Sequence, residues 1–214
     1  MTVQEAITNR RSIRAYTPDP VSPEDLRTIL EAGRLAPSGC NLQPTRFVVT
    51  RNATIKARLA NEGTSIPSNR DICNMAPVVI TFCGALDSHC DMVERSIIDQ
   101  KLRNPGVEPD TNVIEMMKSY FDGMSPEALG AYTSLNVAIA LTQMNLQAEE
   151  LGYGMCWMMA IKPDKIAEIL NVPSTSRVIA ISPLGRPAQT PEATSRRSFD
   201  EIIFGDTYGS PLAL

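Results

Sequence analysis

Residues 10–14 read Arg10-Arg11-Ser12-Ile13-Arg14, and further along the chain comes Ala36-Pro37-Ser38-Gly39-Cys40-Asn41-Leu42-Gln43-Pro44. If the first block is extended, alternate side chains share a face. Arg10, Ser12 and Arg14 then point one way, and Arg11 and Ile13 the other. That face offers two guanidinium forks and a hydroxyl, and arginine's planar donors can engage two phosphate oxygens at once. A charged hydrogen bond contributes roughly 1.5–3 kcal/mol net. Three of them would supply about half of the roughly 8 kcal/mol that a micromolar affinity needs. Taken alone, a short basic run more often reads as a solvated helix end. The second block is a polar turn between two prolines, which Gly39 is expected to let bend freely. Ser38, Asn41 and Gln43 supply side-chain donors and acceptors, and Gly39 and Cys40 supply backbone N–H groups. Such an edge suits a flat heterocycle; the plain alternative is a helix-stop loop.

The chain has 214 residues and a net charge of −4. That length fits one domain with a sizeable core, or at most two small ones. The acidic balance gives no support for a nucleic-acid or anionic-membrane partner. No apolar stretch approaches the roughly 20 residues needed to span a bilayer, and the polar start lacks a signal-peptide core. Five cysteines, without CxxC spacing, read as reduced thiols in a cytoplasmic protein. One histidine, His89, gives a metal cluster or a Ser-His-Asp triad little to build on. It is expected in a surface loop, and no metal site is expected.

Thr2 to Glu5 form a capping box for a short helix ending near Arg10. Ser22 and Pro23 open a second helix with Leu26, Ile29, Leu30 and Gly33 on its buried stripe. Strands are expected at 47–50, 77–82, 155–161 and 177–182, and helices at 54–61 and 163–170. The strand at 77–82 should be covered on both faces. Residues 87–123 should hold one or two helices broken near Asn104-Pro105-Gly106. Ser125 caps a long helix that is apolar nearly all round. It therefore belongs in the middle of the domain or at a subunit interface, and Gly152 ends it. The residues from 205 onward are disordered or laid across another subunit. Mixed elements without strict alternation favour an α+β class.

The two opening blocks resemble the nitroreductase family of FMN flavoproteins. The resemblance continues through Ala76-Pro77-Val78-Val79-Ile80, Leu151-Gly152-Tyr153-Gly154-Met155-Cys156-Trp157, and Leu184-Gly185-Arg186-Pro187 with Arg196-Arg197. It implies an α+β nitroreductase-like fold: a central mixed β-sheet flanked by helices, in an intertwined homodimer with FMN at the subunit interface. It further implies one FMN-binding domain over 1–214, with a lid at 87–124 and a C-terminal extension at 205–214. Carried over by position, Arg10, Arg11, Ser12, Arg14 and Arg196 or Arg197 would hold the phosphate and ribityl chain. Pro37, Ser38, Gly39 and Asn41 would cover the flavin from the partner chain. Asn69, or in its place Gln43, would touch the pyrimidine edge or the ribityl chain. Met158, Met159 and Ala160 would present backbone N–H groups to the flavin N5 and O4. Two departures stand out. Met159-Ala160 replaces the Glu-Gly or Gly-Gly of many members. Ile72 falls where some members carry a lysine, which leaves Arg14 to offset the charge of reduced flavin.

The activity implied is hydride transfer from NAD(P)H through FMN to nitroaromatics, quinones or related small acceptors, with ping-pong kinetics. No side-chain acid or base is obligatory, so no catalytic residue is assigned. Met116, Met117, Tyr120 and Phe121 would line the substrate pocket if the lid covers the flavin, though their helical spacing also suits a core. Trp157 reads as core beneath the flavin, and Cys40 as a buried, inert thiol. Other readings are a specialised reaction on the same fold (reductive dehalogenation, flavin fragmentation, heterocycle dehydrogenation) or a non-catalytic flavin-binding regulator.

Overall fold

The computed structural model describes residues 1–214. Helices α1 and α2 begin where the sequence places caps. For α1 (Val3–Asn9) both halves of the capping box form: the Glu5 N–H donates to the Thr2 hydroxyl at 3.2 Å, and the Thr2 N–H to the Glu5 carboxylate at 2.7 Å. For α2 (Pro23–Arg34), the Ser22 hydroxyl accepts from the Asp25 N–H at 3.0 Å, and Pro23 occupies the first turn where no donor is needed.

Strand β1 (Thr45–Thr50) is followed by α3 (Ala53–Arg58), a π-turn at Leu59–Gly63, and α4 (Pro67–Met75). Helix α4 has no counterpart in the sequence expectations. Strand β2 (Val78–Ala85) is buried at every position, as an apolar run covered on both faces should be. Then come α5 (Met92–Arg103) and α6 (Thr111–Asp122), parted at the expected Asn104-Pro105-Gly106 break, and the long α7 (Pro126–Glu150). Strand β3 is only Gly154–Met155; α8 (Pro163–Leu170), β4 (Ser176–Gly185) and α9 (Phe199–Ile202) complete the chain. The strand expected over 155–161 is thus mostly irregular, touching its neighbours through single bridges from Met158 to Ile181 and Ile161 to Thr64.

The sheet order is β1-β2-β4-β3, and every pairing between these strands is antiparallel. The chain leaves β2 at Ala85 and re-enters β4 at Ser176 directly opposite, so the helical excursion between them returns to the end it left. The expected mixed character is confined to one parallel bridge, Ser12 to Met155. Side chains of β2 alternate between two cores. Val79 and Cys83 pack with Leu59, Ile72, Ile166 and Ile181 on one side. Val78, Ile80 and Phe82 pack with Ile29, Val137 and Met144 of α2 and α7 on the other. Burying a side chain such as Phe82 contributes about 1.5–3 kcal/mol.

Helix α7 covers the sheet with one side only. Leu135 and Ile139 are 68% and 41% exposed within the chain, so the all-round apolar pattern is not satisfied inside one molecule. Helices α5 and α6 build a small separate core from Met92 and Phe121, shared with Leu42. Residues 204–211 fold back on themselves, with a bridge from Phe204 to Pro211 and Tyr208 almost fully exposed.

Candidate active site

The arginine block is extended and anchored on β3. The Ile13 N–H donates to the Met155 carbonyl at 3.1 Å, the Tyr16 hydroxyl donates to the Ile13 carbonyl at 2.8 Å, and Ile13 itself is buried. With Ile13 directed inward, Arg10, Ser12 and Arg14 line a cavity of about 430 Å³. Arg11 lines it too rather than following Ile13. It turns back to donate to the carbonyls of Thr8, Asn9 and Arg10 at 2.8, 2.9 and 3.0 Å, which satisfies the open end of α1. The opposite wall comes from the other end of the chain: Glu192, Thr194 and Arg196. Four guanidinium groups thus face one carboxylate around this cavity. The Arg11 Nε is buried with no acceptor, a donor set that fits a polyanion such as a phosphate ester. Arg197 is not part of this wall; it is turned to Glu201 at 3.5 Å.

The proline-bracketed turn contains a short 3-10 segment at Gly39–Asn41, and Cys40, Asn41 and Gln43 have φ of 51°, 50° and 48°. Gly39 does not supply the bend. It is required because a side chain there would overlap the Tyr132 hydroxyl. The Gly39 N–H donates to the Asn136 side chain at 3.1 Å, and the Gln43 N–H donates to the Ser38 hydroxyl at 2.8 Å. Asn41 is held from α5: its amide donates to Asp99 at 2.6 Å, and its carbonyl accepts from Arg95 at 2.7 Å. Cys40 is exposed, not buried, because the left-handed turn points it outward. Pro37, Ser38 and Gln43 line a second cavity of about 680 Å³, between α2 and β1, which shares no residue with the arginine-lined one.

Of the 158–160 segment, Met158 is committed elsewhere. Its N–H donates to the Ile181 carbonyl at 3.0 Å, it accepts back at 3.1 Å, and its side chain lies in the core beside Cys73. That backbone cannot also serve a ligand. Met159 and Ala160 are exposed, and the Ala160 carbonyl accepts from Ser65 at 3.0 Å and from the Asn69 amide at 3.3 Å. Asn69, buried on α4, therefore fixes this segment directly. Trp157, expected in the core, is 37% exposed, since the irregular chain after β3 turns it outward. Cys156 lies below the arginine block. Burial raises its thiol pKa, and nearby Arg14 and Arg10 oppose the rise.

The four expected pocket residues divide by helical face. Met117 and Phe121, four apart, turn inward; Phe121 is buried, with the Tyr132 ring at 5.2 Å. Met116 and Tyr120 are 65% and 67% exposed and are the two that present a free surface. Phe121 is a core residue of this hairpin rather than a pocket wall. His89 is buried rather than on a surface loop. Its ring stacks on Phe121 at 6.3 Å, and its Nε2 lies 3.4 Å from Asp122. Arg95, Asp99 and Asn136 were not foreseen; each grips the turn from a distant part of the chain, where no local spacing could reveal it.

Fold and geometry together define an α+β protein with a cleft walled by arginines from both ends of the chain. Residues 7–186 match the family model described as Nitroreductase family, and the chain belongs to that family. It is 31% identical over 200 residues to a Thermus thermophilus NADH dehydrogenase, covering 92% of this chain and 93% of that one. It is 25% identical over 208 residues to a Bacillus subtilis FMN reductase (NAD(P)H), covering 96% and 74%. Its fold is that of an Exiguobacterium sibiricum protein crystallised in complex with FMN: TM-score 0.81, 23% identity, 95% of this chain and 96% of that one.

Proposed function

We propose that the chain is an NAD(P)H-dependent FMN oxidoreductase that reduces nitroaromatics, quinones or related small acceptors by a ping-pong mechanism. The observation that carries the reading is the convergence of Arg10, Arg14 and Arg196 on one cavity with the buried, unpaired Arg11 Nε beside them. These groups, with Ser12, suit the phosphate end of FMN. FMN, when bound, supplies hydride transfer between NAD(P)H and the acceptor in two half-reactions. The Met159 and Ala160 N–H groups, held in place through Asn69, would orient the ring edge by hydrogen bonding. Arg14, exposed and without a carboxylate partner, would add its charge to the phosphate wall. Met116 and Tyr120 would present apolar surface to a flat acceptor, with 87–124 as lid and 1–214 acting as one unit.

A homodimer follows from the same reading. Within one chain the proline-bracketed turn and the arginine block line separate cavities. A site that uses both must draw them from two copies. The exposed Leu135 and Ile139 and the open edge of β1 offer surface for such a pairing.

The decisive experiment is titration of cofactor-free protein with FMN, followed by flavin fluorescence, beside an Arg10→Ala, Arg14→Ala variant. The wild type should bind at micromolar or lower concentration and oxidise NADH or NADPH when a quinone or nitroaromatic is added. The variant should lose on the order of 100-fold in affinity, from two charged hydrogen bonds. Equal binding by both proteins would dismiss the phosphate assignment. Light scattering that shows a monomer with FMN tightly bound would dismiss the shared site.

A further inference from the structure

The turn at 38–43 is strained and held from outside. Cys40, Asn41 and Gln43 all lie in the left-handed region, which residues with a Cβ populate only when their surroundings over-determine them. Inside the turn, the Asn41 N–H donates to the Ser38 carbonyl at 3.0 Å, the Leu42 N–H to the Gly39 carbonyl at 3.1 Å and the Gln43 N–H to the Ser38 hydroxyl at 2.8 Å. None of these three bonds fixes the Asn41 side chain or carbonyl, and further restraints come from elsewhere. Asn136 on α7 accepts from Gly39, and two charged groups on α5 grip Asn41.

Those two charged groups do different work. Asp99 accepts from the Asn41 amide at 2.6 Å, fixing its side chain. Arg95 donates to the Asn41 carbonyl at 2.7 Å, to the Ser88 carbonyl at 2.6 Å and to the Asp91 carboxylate at 2.6 Å, so one guanidinium joins the turn, the 86–91 loop and α5. Both side chains are mostly shielded, at 27% and 29% exposure. Directly beneath, Leu42 of the turn is buried against Met92 of α5 and Phe121 of α6. The turn and the α5–α6 hairpin therefore share a core and an ionic clamp.

We infer that Arg95 and Asp99 are positioning residues that couple the α5–α6 hairpin to the 38–43 turn, so that the hairpin's position sets the geometry of the cofactor wall. The inference rests on the proposed role of Pro37, Ser38, Gly39 and Asn41 at the FMN site. Its consequence is reciprocal: whatever orders the turn orders α5, and whatever displaces α5 loosens the turn.

The test compares wild type with an Arg95→Met, Asp99→Ala variant, in which Met keeps the apolar stem, and with Arg95→Lys. Each is titrated with FMN, and backbone hydrogen exchange over 92–103 is measured with and without FMN. In the wild type FMN should slow exchange along α5. In the double variant the FMN dissociation constant should rise on the order of tenfold and the slowing along α5 should vanish. Arg95→Lys keeps one charged donor and should retain part of both effects. If the double variant does not fold, Asp99→Asn serves instead, with a rise of about threefold from loss of charge alone. FMN affinity within twofold of wild type, or slowing along α5 as large as in wild type, overturns the clamp alone. A wild type that ignores FMN overturns the reading of the turn, and the clamp with it.

Discussion

Ile13 sits in a notch that Gly154 leaves on β3: a Cβ on residue 154 would stand 2.7 Å from the Ile13 Cβ, closer than side-chain carbons approach. The arginine block is thus seated by one apolar plug, and the height of Arg10, Ser12 and Arg14 over the sheet depends on it. Gly154→Ala should lift the block. The expected cost is about 1–3 kcal/mol of stability from overpacking, with FMN affinity falling as well. Urea unfolding and FMN titration check the pair of effects. Adding Ile13→Ala should recover part of the loss, because it removes Cγ1, the nearest clashing atom, while the Cβ stays. A Gly154→Ala protein that matches wild type in both measurements would show that the seat does not matter.

Arg196 and Arg197 are adjacent in sequence but differ in surroundings. Arg196 lines the cavity with Arg10 and Arg14, braced by Thr194 and by the Ser195 carbonyl at 2.9 Å. Arg197 is 75% exposed and faces Glu201, a surface pair of small consequence. Arg196→Ala should weaken FMN binding on the order of tenfold, and Arg197→Ala by less than about twofold. The reverse ranking would reassign the wall.

The parts of this molecule that the sequence made readable are those governed by near neighbours. The caps at Thr2, Ser22 and Ser125 answer to residues three positions away, and each forms. The apolar run into β2 is visible because both faces are covered. What escaped depends on distant partners. Helix α4 lacks a side-chain cap and is short. Met155 to Ile161 has strand composition, but beyond Met155 it finds only isolated bridges. His89 lies in a polar stretch and is buried only because α6 closes over it. In the site, the arginine block was legible from alternation because Ile13 had to go inward. Arg11 departs from that alternation because the carbonyls at the end of α1 compete for it. The clamp residues Arg95 and Asp99 had no local signature at all.

The buried thiols give the folded chain an alkaline limit. Burial pushes Cys73 up to about 12 and Cys83 up to about 11, from an ordinary value of 9.0, and it raises the Tyr16 phenol as well. Above pH 9 the unfolded chain releases thiol protons that the folded chain keeps, so the unfolded state binds fewer protons. The thiols' contribution to stability is full below pH 9, falls as pH rises towards 11–12, and is gone above it. The slope should be on the order of 1 kcal/mol per pH unit for each thiol. Urea unfolding across that range checks it, and Cys73→Ala with Cys83→Ala should flatten the curve. A flat wild-type curve would mean that these thiols titrate normally.

Gly39 and Tyr132 offer the most direct test of why the proline-bracketed turn needs its glycine. If conformational freedom were the reason, any side chain at 39 would be costly whatever its neighbours. Here the three positive φ values belong to Cys40, Asn41 and Gln43, while the obstacle at 39 is the Tyr132 hydroxyl. Tyr132 cannot swing away freely, because its ring packs edge-on against buried Phe121. Gly39→Ala should therefore cost about 1–3 kcal/mol, and Tyr132→Phe, which removes the overlapping hydroxyl and leaves the ring Cζ at 3.0 Å, should cost less than about 1 kcal/mol by itself. Together the two should be less destabilising than Gly39→Ala alone, a coupling that a double-mutant cycle measures directly. Simple additivity, within about 0.5 kcal/mol, would place the requirement for glycine in the backbone and not in the space beside Tyr132.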